Sequence, residues 1–184
     1  MLNEEQRKTL LRIAREAVEA ATRGERYTSE ADDPEFDNLG AAFVTLKKRG
    51  ELRGCIGTIE AREPMLINVV RMARAAALDD PRFPAVQPAE VPDLTIDISL
   101  LSPAEKVTDV NEIEVGKHGL IIEQGSNRGL LLPQVPSEWG WDREEFLDHT
   151  CRKAGLPKGS WRKGDCTLYA FTAEVFGEED EPSP

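Results

Sequence analysis

The run Leu52-Arg53-Gly54-Cys55-Ile56-Gly57-Thr58 constrains this chain more than any other segment. It follows an alternating stretch from Ala41 to Lys47 and the dipeptide Arg49-Gly50, so it reads as the second strand of a hairpin. Side chains alternate across a strand. Leu52, Gly54, Ile56 and Thr58 therefore take one face, suited to a core, while Arg53, Cys55 and Gly57 take the other. That second face sets a guanidinium two residues from a thiol and leaves a gap at Gly57. A fixed positive charge beside a cysteine favours the thiolate, the form that attacks electrophiles. Arg53 and Cys55 are thus candidate catalytic residues, with Gly54, Gly57 and Thr58 as candidate substrate contacts. The plain alternative makes Cys55 a small buried hydrophobe and the glycines marks of a bulge or a close backbone approach.

Around this hairpin the pattern predicts one order of elements, used twice. Asn3 caps a helix over 3–22, whose Leu10, Ile13, Ala14, Ala17, Val18 and Ala21 recur at helical spacing. After the hairpin, Pro64 opens an apolar, alanine-rich helix to Leu78, and Leu94 to Leu100 alternates as a half-buried strand. A second hairpin is expected from 119–123 and 129–132 around Ser126-Asn127-Arg128. A helix follows from the capping box of Asp142 and Glu145 to Gly155, then a last strand over 166–176. Hairpin, helix, strand recurs 77 residues on, Phe43 matching Leu120 and Pro64 matching Trp141, an internal duplication that places Leu132 where the first copy has Cys55. The fold class expected is α+β, with packed helices on an antiparallel or mixed sheet.

Further residues stand out by context. Asp79 and Asp80 follow a helix C-terminus, where the macrodipole disfavours negative charge. Asp80 either turns the chain before Pro81 or pairs with Arg82 or Arg53 to fix a guanidinium beside Cys55. His118, in Gly116-Lys117-His118-Gly119, is either a turn residue or the base that completes a thiol and imidazole pair. Trp139 and Trp141 with Gln134 and Glu138 form either a lobe-packing cluster or a stacking platform with polar readers for a base or cofactor ring. Glu145 and His149 stand four apart on a helix, the spacing of a solvated pair, and no third or fourth metal ligand accompanies them. His149 is expected to point to water and Cys151 to the core.

Composition narrows the classes. A net charge of −11 over 184 residues argues against passive binding to phosphate backbones. Residues 177–184 read as an acidic, solvated tail on a single domain of residues 1–176. Three scattered cysteines form no disulfide framework, no run approaches a membrane span, and the N-terminal pattern is no signal peptide, so a reducing cytoplasm is expected. A P-loop, a GxGxxG fingerprint, a GxSxG elbow and a CxxC pair are all missing, and no motif names a cofactor.

LRGCIGT, followed by DPRF at 80–83, GKHG at 116–119, LLLPQV at 130–135, EWGWD and KAGLP at 153–157, resembles the AMMECR family, named for the Alport syndrome, midface hypoplasia and elliptocytosis chromosomal region. The resemblance runs through nearly the whole chain. It implies two lobes of unequal size with a cleft between them. It also implies, in prokaryotes, the company of a Memo-like protein and a radical-SAM protein. Two functions from different classes follow. One is an enzyme whose Arg53, Cys55 and His118 handle a nucleotide, an RNA or another electrophilic substrate. The other is a non-catalytic adaptor that binds a peptide, small molecule or partner protein in the cleft.

Overall fold

The structure, a computed structural model, describes residues 1–29 and 31–180. The chain divides into two compact units, Met1–Leu101 with Glu174–Pro184, and Ser102–Ala173.

In the first unit, helix α1 (Glu4–Thr22) starts on a capping box in which Asn3 and Gln6 satisfy each other's backbone N–H groups. Strands β1 (Leu39–Lys48) and β2 (Glu51–Gly57) follow as an antiparallel hairpin. Its two-residue turn has Arg49 and Gly50 both at positive φ, as the twist of a tight hairpin requires. The short strand β3 (Glu63–Pro64) pairs with the start of β1 and leads directly into helix α2 (Met65–Leu78), where Pro64 is the N-cap. Strand β4 (Leu94–Leu101) then pairs antiparallel with β1 over eight residues. The order β2-β1-β4 leaves β2 at an edge. Ala42, Val44 and Leu46 of β1 and Ile96 and Ile98 of β4 are fully or almost fully buried and share one cluster with Leu10 and Val18 of α1 and Val69, Met72 and Ala73 of α2. The period-2 pattern thus buries one face of the sheet under two helices.

In the second unit, β5 (Glu105–Lys106), β6 (His118–Gln124) and β7 (Asn127–Leu131) precede two helices, α3 (Gln134–Trp139) and α4 (Arg143–Lys153). The last strand, β8 (Thr167–Gly177), supplies Thr167–Ala173 to this unit and Glu174–Gly177 to the first. β6 lies between β7 and β8, and β5 pairs with β8, all antiparallel. Phe146, Leu147 and Cys151 of α4 pack with Leu120 and Ile122 of β6 in a second core. The second hairpin turns one step earlier than its spacing suggests. Gly125, at positive φ, makes the turn with Ser126, so Asn127 and Arg128 already belong to β7. α3, with Pro133 at its N-cap and Pro136 inside its first turn, has no helical signature in the sequence. Gly177 to Asp180, expected in the acidic tail, instead close β8 and form a 3-10 turn in which Glu178 accepts from Arg15 and from the Ile96 N–H. Residues 181–184 lie outside the described residues.

One contact sets the helix-to-hairpin spacing in each unit. A Cβ on Gly54 would stand 2.2 Å from the Ala76 carbonyl oxygen of α2, and one on Gly129 of β7 would stand 2.4 Å from the Ala154 nitrogen that caps α4. Both glycines are therefore sites where a helix end lies directly on a strand. Gly54→Ala and Gly129→Ala should each lower unfolding stability by about 1–3 kcal/mol in urea melts, because helix backbone cannot move aside as a side-chain tip can. Gly24→Ala, at a positive-φ position with open space around it, serves as the comparison for backbone strain alone.

Candidate functional site

Cys55 is the half-buried centre of an edge strand, opposite Thr45 of β1. The Thr45 hydroxyl donates to Cys55 Sγ at 3.2 Å. An edge strand leaves alternate backbone groups unpaired. At Cys55 a side-chain ion pair satisfies both. The Cys55 N–H donates to Asp80 Oδ2 at 2.9 Å, and Arg82 Nη2 donates to the Cys55 carbonyl at 3.3 Å. The two side chains are locked to each other, Arg82 Nε and Nη2 reaching the two Asp80 oxygens at 3.0 and 2.8 Å.

Asp80 begins a turn closed by Phe83 N–H to the Asp80 carbonyl, and its side chain also accepts the Arg82 N–H. The turning role and the pairing role thus coincide in one carboxylate. Asp80 is 4% exposed, and the Arg82 guanidinium beside it holds its carboxyl well below the usual carboxylate range, helped by the Cys55 and Arg82 backbone N–H groups. Arg82 is the solvent side of the pair, its side chain 55% exposed, with Phe83 under its guanidinium at 5.6 Å. Asp80 pushes Arg82 up, with a smaller contribution from Cys55.

The guanidinium next to Cys55 is therefore Arg82. Arg53 has another task. Leu46 pairs with Gly54 and Lys47 with Leu52, so Arg53 is the extra residue of a β-bulge, and strict alternation fails at that point. Its Nε and Nη2 grip the two oxygens of Glu90 at 3.2 and 3.1 Å, and Nη1 donates to the Pro84 carbonyl. Lys48 and the Gln87 N–H also reach Glu90. This set, led by Arg53, draws Glu90 down to about 2. Glu90 was not singled out from sequence, although Gln87 and Glu90 form a capping box around Pro88 that the spacing carries.

The other expectations for the heptapeptide divide. Leu52 is 43% exposed and does not join the core, because the bulge moves it, whereas Ile56 packs against the first core cluster. Gly57 leaves no gap, since the Phe43 ring fills it, 2.2 Å from where a Cβ would stand. Thr58 belongs to a different network. Buried Asn68 of α2 donates to Thr58 Oγ1 and Glu63 Oε1 and accepts the Ala42 N–H. Gly57, Thr58, Glu63 and Arg71 line an open cavity of about 650 Å³. A lone asparagine within the apolar run of α2 was the available signal.

His118 belongs to the second unit, Cys55 to the first. Its Nδ1 accepts the Glu114 N–H at 3.0 Å, which leaves the ring proton on Nε2. That tautomer makes His118 a donor and occupies the lone pair a general base would use. Gln134, Glu138 and Trp139 lie exposed on α3. Trp139 stacks on Trp141 with centroids 6.2 Å apart, and Trp141 stacks on His149 at 3.7 Å and 4°. His149 is therefore half-buried under an indole and does not point freely to water. Glu145 is occupied by the Asp142 N–H. Cys151 is buried, and burial pushes its thiol and that of Cys166 up.

An α+β chain with an edge-strand thiol held by a buried carboxylate and a surface guanidinium is the class these features define. The model of the AMMECR1 family matches residues 11–176, and the chain belongs to that family. It is 46% identical over 188 residues to protein TK0174 of Thermococcus kodakarensis, covering 95% of this chain and 91% of that protein. It is 44% identical to a protein of Methanothermobacter thermautotrophicus, covering 97% of each. The crystal structure of uncharacterized protein PH0010 from Pyrococcus horikoshii matches with a TM-score of 0.89 at 41% identity, over 97% of this chain and 94% of that one.

The two depressed carboxylates carry a pH signature. A carboxylate with a lower pKa folded than unfolded binds fewer protons in the folded state, so its stabilisation is complete above the unfolded value and drains as pH falls. For Glu90 the window runs from about 4.3, the unfolded value, down to about 2. On the order of 2 kcal/mol should be lost across it, after allowing for a partly exposed rim. Glu90→Gln should flatten the fall in urea-melt stability between those pH values. Asp80→Asn should flatten it further towards the acid end, while lowering stability at pH 7.

Proposed function

We propose that Cys55 is a reactive thiol and that the protein is an enzyme acting on a small electrophile with an anionic group. The observation that carries this reading is the pair of contacts on one residue: the Thr45 hydroxyl on the sulfur, and the Asp80–Arg82 clamp on the backbone. A strand residue packed only for its volume needs neither. Thr45 orients the sulfur, Asp80 anchors its backbone, and Arg82, half in solvent, receives the substrate's negative charge.

In the first step the sulfur loses its proton to water and forms an S–C bond to an electrophilic carbonyl carbon. The carbonyl electron pair moves to oxygen, which takes up the proton from the water that received it, while Arg82 keeps its place on the substrate's anionic group. His118 stands outside this step, because its acceptor nitrogen is occupied. A reducing cytoplasm suits such a thiol.

The two units support an origin by duplication. Each runs hairpin, helix, strand, with α3 added in the second, and each has an Arg-Gly pair, Arg53-Gly54 or Arg128-Gly129, where α2 or α4 ends on the hairpin. On that correspondence Leu130 stands where the first unit has Cys55, in place of the Leu132 that a constant offset selects. Either way the thiol belongs to one copy alone.

An adaptor reading has one observation in its favour, the exposed Ile67 of α2 in a groove of about 530 Å³ with Tyr27, Leu66 and Val70. Alkylation separates the two. With iodoacetamide at pH 7 and peptide mass spectrometry, Cys55 should react in the folded protein at least tenfold faster than buried Cys151. Arg82→Gln and Thr45→Val should each slow it several-fold while leaving the Cys166 rate unchanged. A Cys55 that reacts only after denaturation would remove the enzymatic reading and leave the adaptor.

A further inference from the structure

We infer that the second unit holds a separate binding site for the head group of an α-amino acid, an ammonium with a carboxylate or carbonyl on the adjacent carbon. The site is a cavity of about 340 Å³, within the range of small-molecule pockets. Strand register assembles its polar side. His118 of β6 lies opposite Thr172 of β8, and Glu105 of β5 lies opposite Ala170, two residues before Thr172. Alternation puts Glu105, Thr172 and His118 on one face of the sheet, and Glu112 reaches the same cavity from the loop before β6.

The chemistry of each group selects the ligand. Neither the Glu105 nor the Glu112 carboxylate makes an ion pair among the described residues, so two negative charges face one pocket and suit an ammonium. With Nδ1 occupied by the Glu114 N–H, the nitrogen His118 has left for a ligand is Nε2, which carries the proton. It can donate to a carbonyl or carboxylate oxygen and has no lone pair for a metal. Lys106 borders the same cavity, but alternation along β5 turns it to the face opposite Glu105, so the His118 Nε2–H is the donor offered to an anionic or carbonyl oxygen. Ser102 is not available, since its hydroxyl already accepts the Thr172 N–H and donates to the Pro103 carbonyl. Val107, Ile113 and Ala170 supply an apolar wall for the side chain. A simple amine would leave the His118 donor without a partner, and a simple acid would be repelled by the two glutamates. A head group bearing an ammonium beside a carboxylate or carbonyl satisfies both glutamates and His118.

Titration calorimetry on the full chain tests this with four probes: L-leucine, 3-methylbutylamine, 4-methylpentanoate and the dipeptide Leu-Gly. Leucine should bind saturably and at least tenfold more tightly than the amine or the acid. Leu-Gly binding as well as leucine would identify the ligand as a chain terminus, and leucine binding alone as a free amino acid. The doubly substituted E105Q/E112Q protein, at two exposed positions, should keep the wild-type thermal melt and lose tenfold or more in leucine affinity. The inference is overturned by the lack of saturable heat with both leucine and Leu-Gly, by an amine that binds as tightly as leucine, or by an unchanged affinity in E105Q/E112Q.

Discussion

The Asp80 carboxylate, buried at the end of α2, is the interaction on which the site depends. It accepts four hydrogen bonds, from the Cys55 N–H, the Arg82 N–H and two guanidinium nitrogens of Arg82. A buried charge is tolerated only when it is paired and its lone pairs are filled, and here both conditions hold. The same bonds do three things at once. They turn the chain after the helix, they occupy the open edge of β2 at Cys55, and they hold a cation at the protein surface against the Cys55 carbonyl. An apolar side chain in place of Asp80 would release Arg82 and leave the Cys55 N–H unpaired.

The surrounding architecture makes that clamp reachable. Gly54, one residue before Cys55, lets the α2 backbone settle directly on β2, so the chain leaving the helix emerges beside the strand's free edge. The bulge at Arg53 then turns that side chain towards Glu90, whose carboxylate also gathers Lys48 and the Gln87 N–H. Two ion pairs thus tie β2 to the segment between α2 and β4, one through a backbone and one through a side chain. The second unit repeats the glycine contact at Gly129 without the clamp, and Arg128 pairs locally with Glu123 across its own hairpin. The similar packing thus comes without a similar clamp.

Cys55 was legible because a thiol, an arginine and glycines fell within seven residues of a strand. Asp80 was legible as an acid where a helix end disfavours one. The choice of guanidinium was not. Period-2 reasoning selects Arg53, and a single inserted residue in the ladder is enough to redirect it. The Gly57 gap failed for a related reason. A missing side chain shows room on its own strand and says nothing of the ring across the hairpin, which here is Phe43. His118 could be named as a titratable residue between glycines, but its tautomer depends on which backbone N–H meets the ring, a property of the Glu114 turn.

By itself the sequence determined the principal helices and strands, their order, the α+β class and the family, because hydrophobic period, capping boxes, turn residues and motif strings are local properties of the chain. Tertiary structure alone decided which charge meets which. Arg82 went to Asp80 and Cys55, Arg53 to Glu90, and His149 under Trp141. An ion pair or a stacked ring is fixed by distances of a few ångströms between segments remote in sequence. Those distances follow from packing, from a bulge in one strand and from the helix end that lies against Gly54, none of which a residue pattern encodes.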